Sequence, residues 1–277
     1  MNTSESVPVK NQSWFSYLNI TDSPNRHKPK EKKIRPTRAL IYVLIFLLFI
    51  YCFLNLQSNI YYMKITLFGA TGLIGNEILK LLENDNDFKN ITVVSRKAID
   101  LNSKKFNLKI IDFSDFKSYL KVIDGSDVVL ASIGTTQLKV SFNKVKYREI
   151  DFGIISQAVR ACKQQNVKHF SFVSSAGADI ESKSFYLKLK GEIEKEVESH
   201  KLKSSSVYRP SLLLGKRKEN RFGESLAQII IPILSFLMPD NYKPIKASDV
   251  AKAMVNESKN YGNGFKIYHY NKIFSYC

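Results

Sequence analysis

Cysteine is scarce in this chain of 277 residues. Cys52, Cys162 and Cys277 are odd in number and far apart, which argues against a disulfide framework or a cysteine metal cluster. Histidine is nearly as sparse: His27, His169, His200 and His269 share no metal-ligand spacing, so no metal site is expected. Zinc-finger spacing, RNP-like runs and basic helices with interleaved aromatics are all missing. Nucleic acid is therefore not an expected partner, despite a formal charge of +17. Internal repeats are missing too. The positive excess is spread along the chain. Residues 1–62 hold eight Lys/Arg against three acids, and the remaining +12 lies beyond them. A lysine-rich solvated surface accounts for most of it, and such a charge also suits a membrane surface or an anionic cofactor.

Residues 1–38 contain Pro8, Pro24, Pro29 and Pro36 and few periodic apolar positions, the composition of a disordered basic tail. Charge is then absent from Ala39 to Met63. The run "ALIYVLIFLLFIYCFLNL" meets the roughly 17–25 apolar residues that a membrane span needs, so a transmembrane helix is expected over 39–58. Tyr42, Tyr51, Tyr61 and Tyr62 suit its two interfaces. The run has no polar face, unlike a core helix. It also starts late and lacks a cleavage pattern, unlike a signal peptide. Basic residues before it place the tail in the cytosol and the larger domain across the membrane, an unusual location for a cofactor-dependent domain. Met63 directly precedes the first expected strand, and a chain started there is a soluble domain of residues 63–277.

From Met63 onward, short β-rich runs alternate with amphipathic helices. Strands are expected at about 64–68, 91–95, 107–112, 127–132, 168–173, 205–208 and 264–269. Helices are expected at about 73–84, 115–121, 145–165, 183–199, 222–237 and 248–257. That alternation builds a doubly wound, Rossmann-like α/β fold with a parallel sheet, here with a small C-terminal substrate portion. "GATGLIG", Gly69–Gly75, joins the first strand to the first helix. Its spacing is G-x-x-G-x-x-G rather than G-x-G-x-x-G, but the physics carries over. Gly69 permits the turn, Gly72 admits a pyrophosphate to the backbone, and Gly75 lets the helix pack closely. Thr71, Leu73 and Ile74 complete the loop and the helix N-terminus, whose free N–H groups favour phosphate.

The second strand ends in Ser95-Arg96-Lys97, with none of the acids that would receive the ribose hydroxyls of NAD. Arg96 instead suits a 2′-phosphate, which favours NADP(H). Asp112 is placed to meet the adenine, and Ser132, Ile133 and Gly134 to run beside the cofactor. Farther on, Tyr186 and Lys190 share one helix face. A neighbouring ammonium favours a phenolate, and such a tyrosine gives or takes a proton at a carbonyl or alcohol. Ser174 and Ser175 end the fifth strand, where ligands of open α/β sheets bind. The Tyr242/Lys246 and Tyr268/Lys272 pairs repeat the spacing, but Pro244 breaks the first and a β-like run holds the second.

Together, "GATGLIG", the serine pair, Tyr186-x-x-x-Lys190 and "YRPSLLLG" resemble an atypical, extended-type short-chain dehydrogenase/reductase. "IGTT", "SSAGAD", "FYLKLKGEIE" and "RPSLLLGKRKENRFGE" are similar, more narrowly, to the Tat-interacting-protein oxidoreductase-like family, over about residues 63–273. The resemblance implies a Rossmann-like fold that binds NADPH, with redox activity among its members; with the glycine loop, Arg96 and the Ser/Tyr/Lys set it leads to an expected NADPH-dependent oxidoreductase acting on an unknown carbonyl or alcohol, a small-molecule substrate. Ser175, Tyr186 and Lys190 take the triad positions, with Arg209 and Pro210 near the nicotinamide. It also implies that a regulatory protein partner is possible. Fungal relatives point to the mitochondrial outer membrane; a single-pass protein there or in the endoplasmic reticulum is expected, or a cytoplasmic one if translation starts at Met63. An NADPH-binding scaffold without turnover is the alternative activity. A sugar-nucleotide epimerase or dehydratase ranks last, because little chain follows Arg209. Arg217 and Arg221 either border the substrate or lie in a solvated loop.

Overall fold

The protein, seen in a computed structural model, is described over residues 38–57, 62–135, 141–215 and 239–277. The expected tail up to residue 37, the expected helix near 222–237, and Tyr61, Thr136, Arg217 and Arg221 lie outside the described residues. The chain divides into two units, residues 1–60 and 61–277.

In the first unit, helix α1 spans Arg38–Gln57, and its apolar side chains from Leu40 to Tyr51 are solvent-exposed. The expected membrane span over 39–58 is not upheld. Among the described residues, no helix is long and apolar enough to cross a membrane. Single-pass anchoring and a membrane partner therefore have no support among the described residues.

The second unit follows the expected alternation. Its elements are β1 (Met63–Phe68), α2 (Leu73–Asn84), β2 (Phe88–Ser95), β3 (Phe106–Ile110), α3 (Phe116–Ile123) and β4 (Val128–Ala131). Then come α4 (Lys144–Arg148), α5 (Ile154–Gln164), β5 (His169–Val173), α6 (Phe185–Ser199), β6 (Ser204–Tyr208) and β7 (Leu213–Leu214). The last are β8 (Ile245–Lys246), α7 (Ala247–Lys259), β9 (Gly264–Tyr268) and α8 (Tyr270–Phe274). Seven strands form one parallel sheet in the order β3-β2-β1-β4-β5-β6-β9. Short β7 and β8 pair separately. Strand order reverses between β1 and β4, which are hydrogen-bonded neighbours, and that reversal opens the ligand crevice of such sheets.

Period-two alternation puts the two faces of each strand into different cores. Ile65 and Leu67 of β1 and Val128 and Leu130 of β4 pack with α2 and α7. Phe68, Val129 and Ala131 pack instead with α3, α5 and α6. Continuous apolar strands such as "VVLA", fully buried, are what a parallel sheet covered on both faces requires.

Two local features depart from expectation. The single helix expected over 145–165 is interrupted by a π turn, Glu149–Gly153. The wider turn inserts one extra residue and carries Asp151 into the interior, where it is 1% exposed. The last strand ends at Tyr268 because His269 caps α8, so Tyr268 and Lys272 lie in different elements. The C-terminus is fastened down: Asn256 Nδ2 donates to the Tyr276 carbonyl at 2.7 Å.

The sequence also hides a buried polar cluster between the sheet and α7. The Glu257 carboxylate, fully buried on α7, accepts hydrogen bonds from Ser206 Oγ, Tyr208 OH and Tyr268 OH, each at 2.6 Å. His169 lies 3.7 Å from it, shares a 2.8 Å hydrogen bond with Ser204, and stacks on Tyr261. Burial pushes the imidazole down to about 4; Glu257 opposes that shift and Lys266 reinforces it.

The unfolded imidazole titrates near 6.5, so between about pH 6.5 and 4 the unfolded chain binds a proton that the folded chain refuses. Stability therefore falls as pH drops through that window, by roughly 3 kcal/mol for this group alone. Urea midpoints at neutral pH and near pH 4.5 should separate more for wild type than for His169→Phe, which keeps the stacking on Tyr261. Equal separations in the two proteins would exclude this role.

Candidate active site

The glycine loop sits where β1 turns into α2. Gly69 has φ +84°, and a Cβ there would lie 2.6 Å from the Ser132 carbonyl oxygen. Left-handed backbone and steric exclusion both require glycine. Gly75 is tighter still: its Cβ would fall 2.1 Å from the Gly69 carbonyl oxygen and 2.7 Å from Ser132 Oγ. Gly72 differs. It takes an extended conformation as the N-cap of α2, and its Cβ would meet Gly69 O at 3.3 Å and Ser132 O at 3.5 Å. Internal packing alone would nearly tolerate a side chain there, so the space it leaves suits a ligand. The first intrahelical bond is from Asn76 N–H to Gly72 O, 2.9 Å. The amides of Leu73, Ile74 and Gly75 precede it, and no side chain caps them. Thr71 is exposed at the tip and Ile74 is buried beneath it. Bare amides at the positive end of a helix fit the diphosphate of a dinucleotide.

The neighbouring strands place the remaining cofactor candidates along the same edge. The Ser95 carbonyl accepts the Ile111 N–H, and its hydroxyl accepts the Lys97 N–H at 3.3 Å. Arg96 is exposed at the end of β2. Asp112 is exposed as well; one carboxylate oxygen accepts both the N–H and the hydroxyl of Ser114, and these bonds hold its carboxyl below the usual range. Ser132 braces the loop: its Oγ lies 3.2 Å from the Gly69 carbonyl, to which it donates. Gly134 is exposed beyond it.

The serine pair divides its labour. Ser174 is buried, and its hydroxyl donates to the Glu194 carboxylate. Ser175 is half-buried, and among the described residues its Oγ reaches only the carbonyl of Ala176, at 3.2 Å. Its loop is tied to α6 by the Asp179 N–H bond to the Leu187 carbonyl, 3.2 Å. Tyr186 is half-buried in the first turn of α6, with its ring 5.9 Å from Lys190 Nζ. Its hydroxyl has no hydrogen-bond partner among the described residues. Lys190 is buried and pairs with Asp151 at 2.9 Å. Sequence reasoning missed Asp151, because a carboxylate 39 residues away shows no local pattern and only the π turn brings it inward.

Arg209 does not point into this space as a free cation. Its guanidinium is bidentate to Glu194, with Nε 3.0 Å from one oxygen, and together they hold the end of β6 against α6. Pro210 is buried, and its carbonyl accepts the Ala176 N–H at 2.8 Å. It thereby positions the Ser175 loop from behind. A cleft of 310 Å³ beside Arg209, Lys195, Phe265 and Ile267 lies on the edge-strand side of α6 and includes no glycine-loop residue. A smaller cavity of 120 Å³, lined by Phe142, Asn143, Lys144, Tyr147 and Phe185, adjoins Tyr186 through the edge-to-face contact of Tyr147 with its ring. Among the described residues no acidic, histidine or cysteine group is arranged to hold a metal.

Comparison with known proteins agrees with this geometry. Residues 69–257 match the protein family described as NAD(P)H-binding. The chain is 34% identical over 208 residues to "Protein FMP52, mitochondrial" of Candida albicans, covering 73% of this chain and 90% of that one. It is 30% identical over 204 residues to "Protein HTATIP2" of Rattus norvegicus, covering 73% and 83%. Among solved structures, the UDP-N-acetylglucosamine 4-epimerase of Methanobrevibacter ruminantium superposes with a TM-score of 0.59 at 18% identity, over 77% of this chain and 80% of that one. At that identity the likeness speaks for the fold.

The two glycines should separate in experiment. Gly75→Ala forces a Cβ into backbone and should lower the melting temperature of the ligand-free chain by several degrees. Gly72→Asp should leave that temperature nearly unchanged and abolish nucleotide binding by setting a carboxylate against the diphosphate. A Gly72→Asp protein that still binds a pyridine nucleotide would show that the loop does not hold it.

Proposed function

The chain belongs to the NAD(P)H-binding family, within the atypical short-chain dehydrogenases/reductases, and from that premise we propose that it is an NADPH-dependent oxidoreductase of a small carbonyl or alcohol. The observation that carries the cofactor choice is the end of β2, where Arg96 is exposed and makes no ion pair among the described residues. No acid stands there to take the ribose hydroxyls, and a free guanidinium suits a 2′-phosphate.

In this reading, bound NADPH supplies the hydride. Residues Gly69–Gly75 hold the diphosphate through bare amides, Arg96 with Ser95 grips the 2′-phosphate, and Asp112 offers its second carboxylate oxygen to the adenine amine. Lys190 donates to the hydroxyls of the nicotinamide ribose. Ser175 turns its hydroxyl from Ala176 to the substrate carbonyl, and Tyr186 gives that oxygen a proton. Phe142, Tyr147 and Phe185 line the adjoining cavity and favour a substrate with an apolar, flat body. The mitochondrial naming of the fungal relatives supports residence of this chain at mitochondria. A tagged full-length chain fractionating away from mitochondria would refute that placement.

A second reading, a cofactor-bound regulatory protein without turnover, draws on one feature: the Lys190 ammonium is already engaged by Asp151. The two readings part in one experiment. NADPH at a hundredfold excess over its Kd contributes about 2.7 kcal/mol and should raise the melting temperature of the full chain more than NADH does. Arg96→Glu should erase that preference. Turnover of a carbonyl panel should fall by about two to four orders of magnitude in Tyr186→Phe. Stabilisation by NADPH without any turnover would leave the regulatory reading standing.

A further inference from the structure

Burying an ammonium is costly, and Lys190 is only 5% exposed. It stays charged only with a counter-ion against it. Asp151 provides one, with Oδ2 2.9 Å from Nζ. The other oxygen, Oδ1, accepts the Thr135 N–H at 2.8 Å. One helical turn earlier, Tyr147 OH donates to the Thr135 carbonyl at 3.2 Å. Thr135 is therefore clamped through both of its backbone polar groups, and the loop after β4 is tied to the lysine of α6. The π turn at Glu149–Gly153 makes the arrangement possible.

We propose that Asp151 is the positioning residue of the site: it holds Lys190 as an ammonium, in register with the β4 loop, so that its remaining donors meet the ribose hydroxyls of the cofactor. This rests on the cofactor reading above. The groups facing the Lys190 ammonium are Asp151 from the π turn and Tyr186 and Glu194 from its own helix, with Tyr147 of α4 beyond Asp151. Glu194 is already neutralised by Arg209, which leaves Asp151 as the effective counter-ion. Burial works against the charged lysine, but Asp151 and then Tyr186 outweigh it, and the ammonium is held above its ordinary value.

Asp151→Asn keeps the side-chain shape and an acceptor oxygen but removes the charge. Lys190 then loses its counter-ion while remaining buried, and its deprotonation moves down into the accessible range. The test is the Kd for NADPH of full-length wild type and variant, by fluorescence titration from about pH 7.5 to about pH 10, where arginine keeps its charge. Wild-type affinity should stay level, and the variant should weaken by about tenfold or more across the range. Parallel profiles for two folded proteins would overturn the proposal, since a merely structural aspartate would not change the pH dependence. If circular dichroism shows that the variant does not fold, wild type decides alone. A wild-type affinity that itself drops tenfold over the range means that the ammonium is not held. Failure of wild type to bind NADPH at about pH 7.5 refutes the cofactor reading itself, and this proposal with it.

Discussion

The architecture depends on how closely α2 folds back onto the end of β1. The position that a Cβ of residue 75 would occupy is 2.1 Å from the Gly69 carbonyl oxygen, so helix and strand touch backbone to backbone. Ser132, arriving from β4, closes the other side of the same carbonyl. One contact thereby sets the bend, aims the α2 amides into the crevice and joins the two strands between which the sheet order reverses. Gly72 is spared from that packing, which is why the middle glycine is the one best explained by something outside the chain.

A second constraint is electrostatic. The site holds a buried ion pair, Lys190 with Asp151, and a half-buried one, Arg209 with Glu194, and both run through α6. The Glu194 carboxylate also takes the Ser174 hydroxyl. Ser174 is thus part of the framework and Ser175 is the hydroxyl left over. Fixed charges with fixed partners need no reorganisation when a ligand arrives, and that preorganisation makes a weakly polar cleft useful for chemistry.

Much of this was legible in the sequence because it is local. Strand–turn–helix at Gly69–Gly75, amphipathic α2 over 73–84 and alternating buried strands all follow from short-range periodicity. What escaped is long-range or depends on an irregular turn. Asp151 reads as one more acid on a helix until the π turn brings it to a lysine 39 residues away. Glu257 likewise reads as a surface acid of α7, yet it gathers Ser206, Tyr208 and Tyr268 from two strands. Arg209 carries a positive charge in any reading of the sequence, but its bidentate partner Glu194, 15 residues away, shows no local pattern. The apolar run after Arg38 satisfies a composition rule for membrane spans, yet among the described residues no helix is long and apolar enough to cross a membrane.

The lateness of α7 in the chain has a cost during biosynthesis. Its residues Val250, Ala251 and Met254 pack on the face of β1 and β4 that Ile65 and Leu130 form, and the edge strand β9 follows still later. Until α7 is made, α2 alone covers that face, through Ile74, Ile78 and Leu82, and the rest of its greasy surface is open to solvent. The nascent chain therefore cannot complete this core until α7 has been synthesised, and partly covered sheets of this kind are prone to aggregate.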